Sequence, residues 1–262
     1  MTGVAIVLLT SSAGAPGTTT TAVGLALTWP RPVLLADCDP GAHQAVLAGY
    51  LAGQSAGGRG LLRVAEAHRD RRGLREVVID QCLPLATEEG ERRLFLPGFA
   101  RPSSATLFGG VWAELSDTFD RLGDVGYDVI VDAGRMGPDG IPGPLLDRSA
   151  LVGLVLRSSL RAVLSARAHL PGLTEQERLS TAGRTGLVLV GEGEPYGRAE
   201  IIRALGVGVH AVVARDPAGA EHLSDGRPRP RKFDTSPLVR SLRTAAAALA
   251  ARLERSEEVL VR

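Results

Sequence analysis

Short apolar runs alternate with helical stretches along the chain. Seven of these runs are near-continuous, and they cover residues 3–9, 33–36, 94–96, 128–132, 151–156, 186–190 and 209–213. Continuous apolar runs are typical of parallel strands that are covered on both faces. Helical patterns fall between them, at residues 17–28, 61–69, 104–122, 160–170 and 199–205. The alternation predicts a doubly wound α/β fold, in which a mainly parallel sheet of seven to eight strands carries helices on both faces.

The end of the chain predicts one more helix, at about residues 237–255. Leucines at positions 238, 242, 249 and 253 form a stripe, and the arginines lie mostly off it. This pattern favours a helix that packs on the body of the protein, with a partner helix or a membrane surface as the alternative. No apolar run approaches the ~20 residues that span a bilayer. We therefore expect a single cytoplasmic domain over residues 1–262.

Composition changes this picture at one point, the cations. The chain of 262 residues has 30 lysine and arginine residues against 29 acidic ones, and its net charge of +1 does not favour a broad nucleic-acid surface. Only one of those cations is a lysine, Lys232, so a mechanism that needs a lysine has one candidate. The two cysteines, Cys38 and Cys82, exclude a disulfide framework and a four-ligand zinc site.

The glycine-rich segment after the first strand is the strongest chemical signal. Residues 11–21 read SSAGAPGTTTT and directly precede an apolar helix, the setting in which backbone N–H groups and a helix N-terminus bind phosphate. Against the pattern GxxxxGK[ST], Gly17 fits the last glycine and Thr19 the hydroxyl that binds magnesium. Ser12 replaces the first glycine, and Thr18 stands at the lysine position.

This segment resembles the loop of the ParA/MinD family of P-loop ATPases, which reads KGGxGK[ST]. Residues 13–19 align with it, and both of its lysines are absent, with Ala13 at the first position and Thr18 at the second. In that family the first lysine reaches the nucleotide of a partner subunit, and the second holds the β- and γ-phosphates. Lys232 lies far away in sequence, so we do not expect it to substitute.

Three further segments resemble motifs of the same family, in the same order. Residues 36–43, ADCDPGAH, resemble its hDxDP segment, with Asp37 first and with Asp39 at the position that lies near magnesium and the attacking water. Residues 127–132, YDVIVD, match a Walker B strand whose final aspartate, Asp132, holds magnesium through water. Residues 213–217, VARDP, followed by a helix and by SPL at 236–238, resemble the adenine-side loop and final helix.

The resemblance implies a set of site residues. The ligands that it implies are ATP and Mg²⁺. The implied catalytic residue is Asp39, and the implied metal contacts are Thr19, Asp39 and Asp132. The residues implied to bind the nucleotide are Gly14, Ala15, Pro16, Gly17, Thr18, Thr19, Thr20, Arg215, Asp216 and Pro217.

The absent lysines change what the resemblance implies for activity. A single cation at the transferring phosphoryl group is worth roughly 10³–10⁵ in rate, so we expect hydrolysis to be weak or lost. Weak nucleotide binding and no binding are both open, and residues 190–194 contain no asparagine to read the adenine. Arg215, Arg157 or an arginine of a partner chain could replace the lysine if it lies within about 3 Å of the phosphates.

Within the family, the chain is similar to the TadZ/CpaE-like branch, which helps to place or assemble Tad/Flp-type pilus machinery. The likeness rests on residues 196–206 and on a composition rich in alanine, glycine and arginine, as in actinobacterial relatives. It implies a homodimeric scaffold, nucleotide-responsive or nucleotide-independent, at the inner face of the membrane or the cell pole. A pilus or secretion ATPase or membrane assembly is the implied partner, and DNA is a less favoured one. The alternative is an active ATPase in chromosome or plasmid partition or in septum-site placement.

Three other features have simpler interpretations. Cys38 is expected to be a small buried strand residue, and His43 a surface histidine at the start of a helix rather than a general base. Residues 227–232, RPRPRK, are expected to form a solvated loop, with contact to phosphate groups as the alternative.

Overall fold

A single eight-stranded sheet organises the computed structural model, which describes residues 6–12, 17–86, 92–137, 139–175 and 183–260. The order across the sheet is β3-β4-β2-β5-β1-β6-β7-β8, and every neighbouring pair is parallel except the antiparallel β3–β4 pair. The strands are β1 (Ile6–Ser11), β2 (Val33–Asp37), β3 (Leu83–Pro84), β4 (Arg93–Leu96), β5 (Asp128–Arg135), β6 (Leu151–Arg157), β7 (Thr185–Val190) and β8 (Val209–Val213).

Eleven α-helices lie within the described residues. They are α1 (Thr18–Thr28), α2 (Ala45–Ala48), α3 (Leu61–Arg69), α4 (Leu74–Asp80), α5 (Pro102–Thr106), α6 (Trp112–Arg121), α7 (Gly143–Arg148), α8 (Leu160–Thr174), α9 (Arg198–Leu205), α10 (Pro217–Ser224) and α11 (Pro237–Leu260). The predicted α/β class with a mainly parallel sheet is confirmed. A single domain over residues 1–262 stays a prediction.

Both faces of the sheet are buried, each under its own layer of helices. Successive side chains of a strand point to opposite faces, and along β1 Ile6 and Leu8 enter one core while Val7 and Leu9 enter the other. Helices α3 to α9 cover the first face, and α1, α2, α10 and α11 cover the second. This double burial is the reason that the strands read as continuous apolar runs.

The predicted elements differ from the observed ones at particular places. All seven predicted strands form, although the first one ends at Ser11 and its residues 3–5 lie outside the described residues. The two-residue strand β3 and the short helices α2, α4 and α7 were not predicted. The single helix predicted at 104–122 was wrong, because a turn that contains Gly109 and Gly110 separates α5 from α6. Glycine weakens a helix interior by about 1 kcal/mol relative to alanine.

The final helix packs on the body of the protein, as its leucine stripe predicts. It lies against α1 and β8, and its four stripe leucines are buried: Leu238, Leu242, Leu249 and Leu253. The contact with α1 is close at Gly24, where a Cβ atom would lie 2.4 Å from Leu242 Cδ1. Within the described residues, no helix combines the length and apolar character that crossing a bilayer requires.

Replacing Leu242 tests how much this docking contributes to stability. Leu242→Ala removes a buried side chain at the α1 contact, and we expect it to lower the free energy of unfolding by about 2–5 kcal/mol. Arg240→Ala is the matched control, because Arg240 is exposed on the same helix and its replacement should change stability by less than about 0.5 kcal/mol. Urea denaturation measures both. Equal, small effects of the two substitutions would contradict the packing of α11.

Candidate functional site

Three carboxyl groups meet at one edge of the sheet. Strands β2 and β5 are parallel, and their register pairs Asp37, the last residue of β2, with Asp132, which lies three residues before the end of β5. The backbone N–H of Cys38 donates to the carbonyl oxygen of Asp132 at 2.8 Å, which holds the exit of β2 against β5. Asp39 follows two residues later, and its backbone N–H donates to Asp37 Oδ1 at 3.2 Å.

Asp132 is the most buried of the three, with 1% of its surface exposed. Its Oδ1 accepts a hydrogen bond from the N–H of Gly134 at 3.0 Å, and its Oδ2 makes no hydrogen bond of acceptable geometry to a described residue. Burial raises the pKa of Asp132 to about 6, although the Thr19 side chain and the Gly134 N–H act in the opposite direction. A buried carboxyl with one open oxygen beside a threonine hydroxyl suits a divalent cation.

Asp37 lies next to Asp132 and shares its environment. Burial, and then the charge of Asp132, raise the pKa of the Asp37 carboxyl well above its ordinary value. The chain passes close to this carboxyl at Gly98, where a Cβ atom would lie 2.6 Å from Asp37 Cγ. Two adjacent buried carboxyls repel each other when both are ionised, so the pair has a further reason to attract a cation.

Asp39 is held in place by its own turn. Its Oδ1 accepts from the N–H of Gly41 at 2.8 Å, and its Oδ2 lies 2.9 Å from Nδ1 of His43. Gly134 is required opposite it, because a Cβ atom there would lie 2.2 Å from Asp39 Cγ. The predicted surface position of His43 is confirmed, since its side chain is 67% exposed. The metal-binding and catalytic roles of Asp39 stay predictions.

The N-terminus of α1 faces the same space. Gly17 precedes the helix in the left-handed conformation, with φ of 95°, and no acidic side chain lies in the first turn. Thr18 is 3% exposed, and its Oγ1 has no hydrogen-bond partner among the described residues. Free backbone N–H groups at a helix N-terminus form a site for anions. The predicted contacts Gly14, Ala15 and Pro16 lie outside the described residues.

The first turn of α1 and Asp39 line one cleft of about 400 Å³, whereas Asp37 and Asp132 are not part of its lining. The cleft brings together four residues that the sequence predicts, Gly17, Thr18, Thr19 and Thr20, with Asp39 across from them. Sequence reasoning missed Arg135, which also lines the cleft and ends strand β5. The signal that could have found it is position, because it follows Asp132 by three residues on a strand that runs to the edge of the sheet.

The predicted adenine-side residues lie elsewhere along this edge. Strand β8 is separated from β1 by β6 and β7, a distance of about 14 Å at the usual strand spacing. Arg215 pairs with Glu194 at 3.2 Å, and the side chain of Asp216 caps α10 by accepting from the N–H of Gly219 at 3.1 Å. Pro217 is the first residue of α10. Their contact with a nucleotide stays a prediction.

The other candidate cations lie outside the lining of this cleft. Arg157 is exposed at the end of β6, and Lys232 is exposed in the loop before a 3₁₀ turn at Phe233–Thr235. That loop carries the predicted solvated segment 227–232, in which Arg229 pairs with Asp234. Arg135 is therefore the one guanidinium among the described residues that line the cleft.

The oxygen atoms of Asp132 and Thr19 suit a magnesium ion that also binds water and phosphate, rather than a metal ion that is bound by protein side chains alone. Among the described residues, no group of three or more His, Cys, Asp or Glu side chains is arranged to hold a metal ion. Magnesium keeps several waters and binds through one or two carboxylates plus the phosphates of a substrate. Thr19 and Asp132 would hold the ion here, and the first turn of α1 would bind the phosphate chain.

The predicted burial of Cys38 is confirmed.

Comparison with solved structures shows the fold. The ParA family ATPase from Chlorobium tepidum superposes with a TM-score of 0.70 at 16% identity, over 93% of this chain and 98% of that one. MinD in the MinC:MinD cell division complex of Aquifex aeolicus gives 0.69 at 15% identity, over 94% and 96%. MinD of Pyrococcus horikoshii, solved with Mg-ADP, gives 0.61 at 17% identity, over 98% and 96%.

No family model and no curated protein matches the sequence. The structural neighbours are P-loop ATPases of the ParA and MinD type, and the chain has their fold.

The raised pKa of Asp132 gives a test of its buried charge. Between about pH 4 and pH 6 the folded protein keeps a proton on Asp132 that the unfolded chain releases, so this group makes stability fall as pH rises through that window. Asp132→Asn removes the ionisable group. We expect it to raise the free energy of unfolding at pH 7.5 by about 1–3 kcal/mol, and by less at pH 4.

Asp128→Asn is the control on the same strand. Asp128 accepts hydrogen bonds from Trp29 Nε1 at 2.6 Å and from Arg31 Nε at 2.7 Å, so its replacement should lower stability by about 1–3 kcal/mol. Urea denaturation of both variants at pH 4 and 7.5 measures the difference. A loss of stability in Asp132→Asn at pH 7.5 would contradict an uncompensated buried carboxyl.

Proposed function

We propose that this chain is a ParA/MinD-type protein in which ATP hydrolysis is weak or lost, and which acts as a homodimeric scaffold for a Tad/Flp-type pilus or secretion apparatus. The observation that carries the proposal is Thr18. This residue begins α1, where the family pattern has its phosphate-binding lysine, and its buried hydroxyl has no hydrogen-bond partner among the described residues. The N-terminus of α1 is thus kept, while the lysine of the family pattern is missing from it.

Retained features support binding of a magnesium nucleotide. The first turn of α1 offers N–H groups to an anion, and the adjacent side chains of Asp132 and Thr19 supply oxygen atoms that would hold a hydrated magnesium ion. When bound, magnesium neutralises charge on the phosphate oxygens. The Mg-ADP in the Pyrococcus horikoshii MinD structure supports the same ligand class for this fold.

Lost features support slow hydrolysis. Phosphoryl transfer depends on positioning and on charges that offset the negative charge of the phosphoryl group. The sequence has threonine at position 18 and alanine at position 13. Its one lysine, Lys232, lies outside the lining of the cleft. Catalysis by this chain would then depend on Asp39, which is already engaged by His43. A protein of this kind can respond to nucleotide without consuming it quickly.

The assembly role rests on the branch resemblance and on the fold. The TadZ/CpaE-like segment at 196–206 follows β7 along the chain and contains α9, in the sheet's first helix layer. The MinC:MinD complex supports a partner-binding use of this fold. We propose a pilus or secretion ATPase or membrane assembly as the partner, at the inner face of the membrane or the cell pole. The net charge of +1 makes DNA a less favoured partner.

One observation favours the alternative, an active ATPase in partition or septum-site placement. Arg135 lines the cleft, so a cation is present near the start of α1 even though the lysine is not. Turnover separates the two functions.

ATP turnover and binding by the purified chain test the proposal. We expect magnesium-dependent turnover slower than about 10⁻³ s⁻¹, the scale of a P-loop NTPase that lacks its catalytic cation. Calorimetry with Mg-ATP and light scattering with and without it report binding and dimer formation. Turnover near 1 s⁻¹ that Asp39→Ala abolishes would overturn the scaffold and favour the active ATPase. Absence of binding would leave only the nucleotide-independent form.

Returning a lysine to the loop gives a second prediction. Thr18→Lys places an ammonium group at the first residue of α1, and we expect Mg-ATP to bind roughly 10- to 100-fold more tightly, since charge-assisted hydrogen bonds are the strong ones. The same variant should melt earlier without ligand, because a cation at a helix N-terminus is unfavourable. Thr28→Lys, at the other end of α1, is the control and should leave ATP affinity unchanged.

A further inference from the structure

We propose that Arg135 is the phosphate-binding cation of this cleft, and that it contacts the phosphate chain of a bound nucleotide in place of the absent loop lysine. The inference rests on the nucleotide-responsive form of the proposed function. It replaces Arg157 and Arg215 as candidates, since neither lines the cleft and Arg215 pairs with Glu194.

The backbone of Arg135 is fixed beside the start of the phosphate loop. Its register partner is Ser11, the last residue of β1. On either side of it, Thr10 Oγ1 donates to the carbonyl oxygen of Gly134 at 3.0 Å, and the N–H of Met136 donates to the carbonyl oxygen of Ser11 at 2.9 Å. The Cα of Arg135 is thus anchored beside the last residue of β1.

The side chain of Arg135, in contrast, is available. Arg135 is exposed, and no hydrogen bond or ion pair joins its guanidinium to a described residue. Several other arginines are engaged, for example Arg31 with Asp128, Arg148 with Asp117 and Arg198 with Glu192. An anchored backbone with an unengaged guanidinium is suited to a ligand that arrives with its own negative charge.

A second observation points to anion binding at the same cleft. Thr18 is more than nine-tenths buried, and its Oγ1 has no partner among the described residues. It begins an 11-residue helix whose N-terminus carries no acidic side chain in its first turn. Thr18 and Arg135 line the same cleft, so the hydroxyl, the helix N–H groups and the guanidinium all offer hydrogen-bond donors to one bound group.

The chemistry of guanidinium fits a phosphate chain. It stays charged at every physiological pH and presents N–H groups in a planar fork that binds two oxygens of one phosphate. Asp37, Asp39 and Asp132 lie beside the cleft, so a polyphosphate needs an offsetting cation as well as magnesium. Arg135 lies at the end of β5, whereas a lysine at position 18 would lie on α1. The guanidinium would therefore contact the phosphate chain from the sheet rather than from the helix.

The test compares three variants by calorimetry with Mg-ATP and with inorganic tripolyphosphate, which has no base. We expect Arg135→Ala to weaken binding of both ligands roughly 10- to 100-fold and to reduce the rise in Tm that each produces. Arg135→Lys keeps the charge but not the fork, and its affinities should be intermediate. Arg157→Ala is the matched control, because it removes an exposed arginine from the end of β6 at the same edge of the sheet, and its affinities should match those of the wild type.

Several outcomes would overturn the inference. One is wild-type affinity in Arg135→Ala, which would leave the nucleotide-responsive scaffold standing. Equal losses in Arg135→Ala and Arg157→Ala would indicate a general effect of surface charge, and a loss for Mg-ATP alone would place Arg135 on the base side. If the wild-type chain binds neither ligand, the nucleotide-responsive function fails together with the inference. The Tm of each variant without ligand shows whether its fold is intact.

Discussion

The register of β2 against β5 is the constraint on which this site depends. It sets Asp37 beside Asp132 at the carboxyl end of β2. The hydrogen bond from the Cys38 N–H to the Asp132 carbonyl oxygen continues that register just past the last residue of β2. Glycines at 98 and 134 then let the chain pass within contact distance of the carboxyls. Shifting either strand by one residue would turn its aspartate toward the opposite face of the sheet.

The two aspartates of strand β5 have different surroundings: Asp128 begins the strand, and Asp132 lies three residues before its end. Asp128 is neutralised where it stands, by Trp29 and Arg31, and contributes to stability. Asp132 is more deeply buried and has an open oxygen, and its burial raises its pKa to about 6. A charge that the fold leaves uncompensated indicates a place where the missing partner comes from outside the chain, since buried charges are otherwise paired. Within one strand, the aspartate with partners stabilises the fold, and the aspartate with an open oxygen lies beside the candidate site.

Much of the fold could be predicted because its strands are buried on both faces, so each one reads as a continuous apolar run. The edge strand β3 lacks that signal, since it has two residues and one is Pro84. Motif spacing located Gly17 and Thr19 at the start of α1, Asp39 just after β2, and Asp132 within β5. Arg135 was missed although its place three residues after Asp132 is a signal that could have found it. The Arg215–Glu194 pair could not be found from the sequence, because nothing there shows which carboxylate an arginine contacts until the strands are placed in space.

Gly24 has a mechanical consequence for the molecule. Without a side chain there, α1 and α11 interlock through Leu242 at a distance shorter than two side chains would permit. Gly24 lies near the middle of α1, only about 10 Å along the helix axis from Thr18. Sliding or tilting of α1 at the cleft must therefore carry α11 with it or break their packing. A displacement of the N-terminus of α1 would therefore be transmitted to the 24-residue C-terminal helix that packs against it.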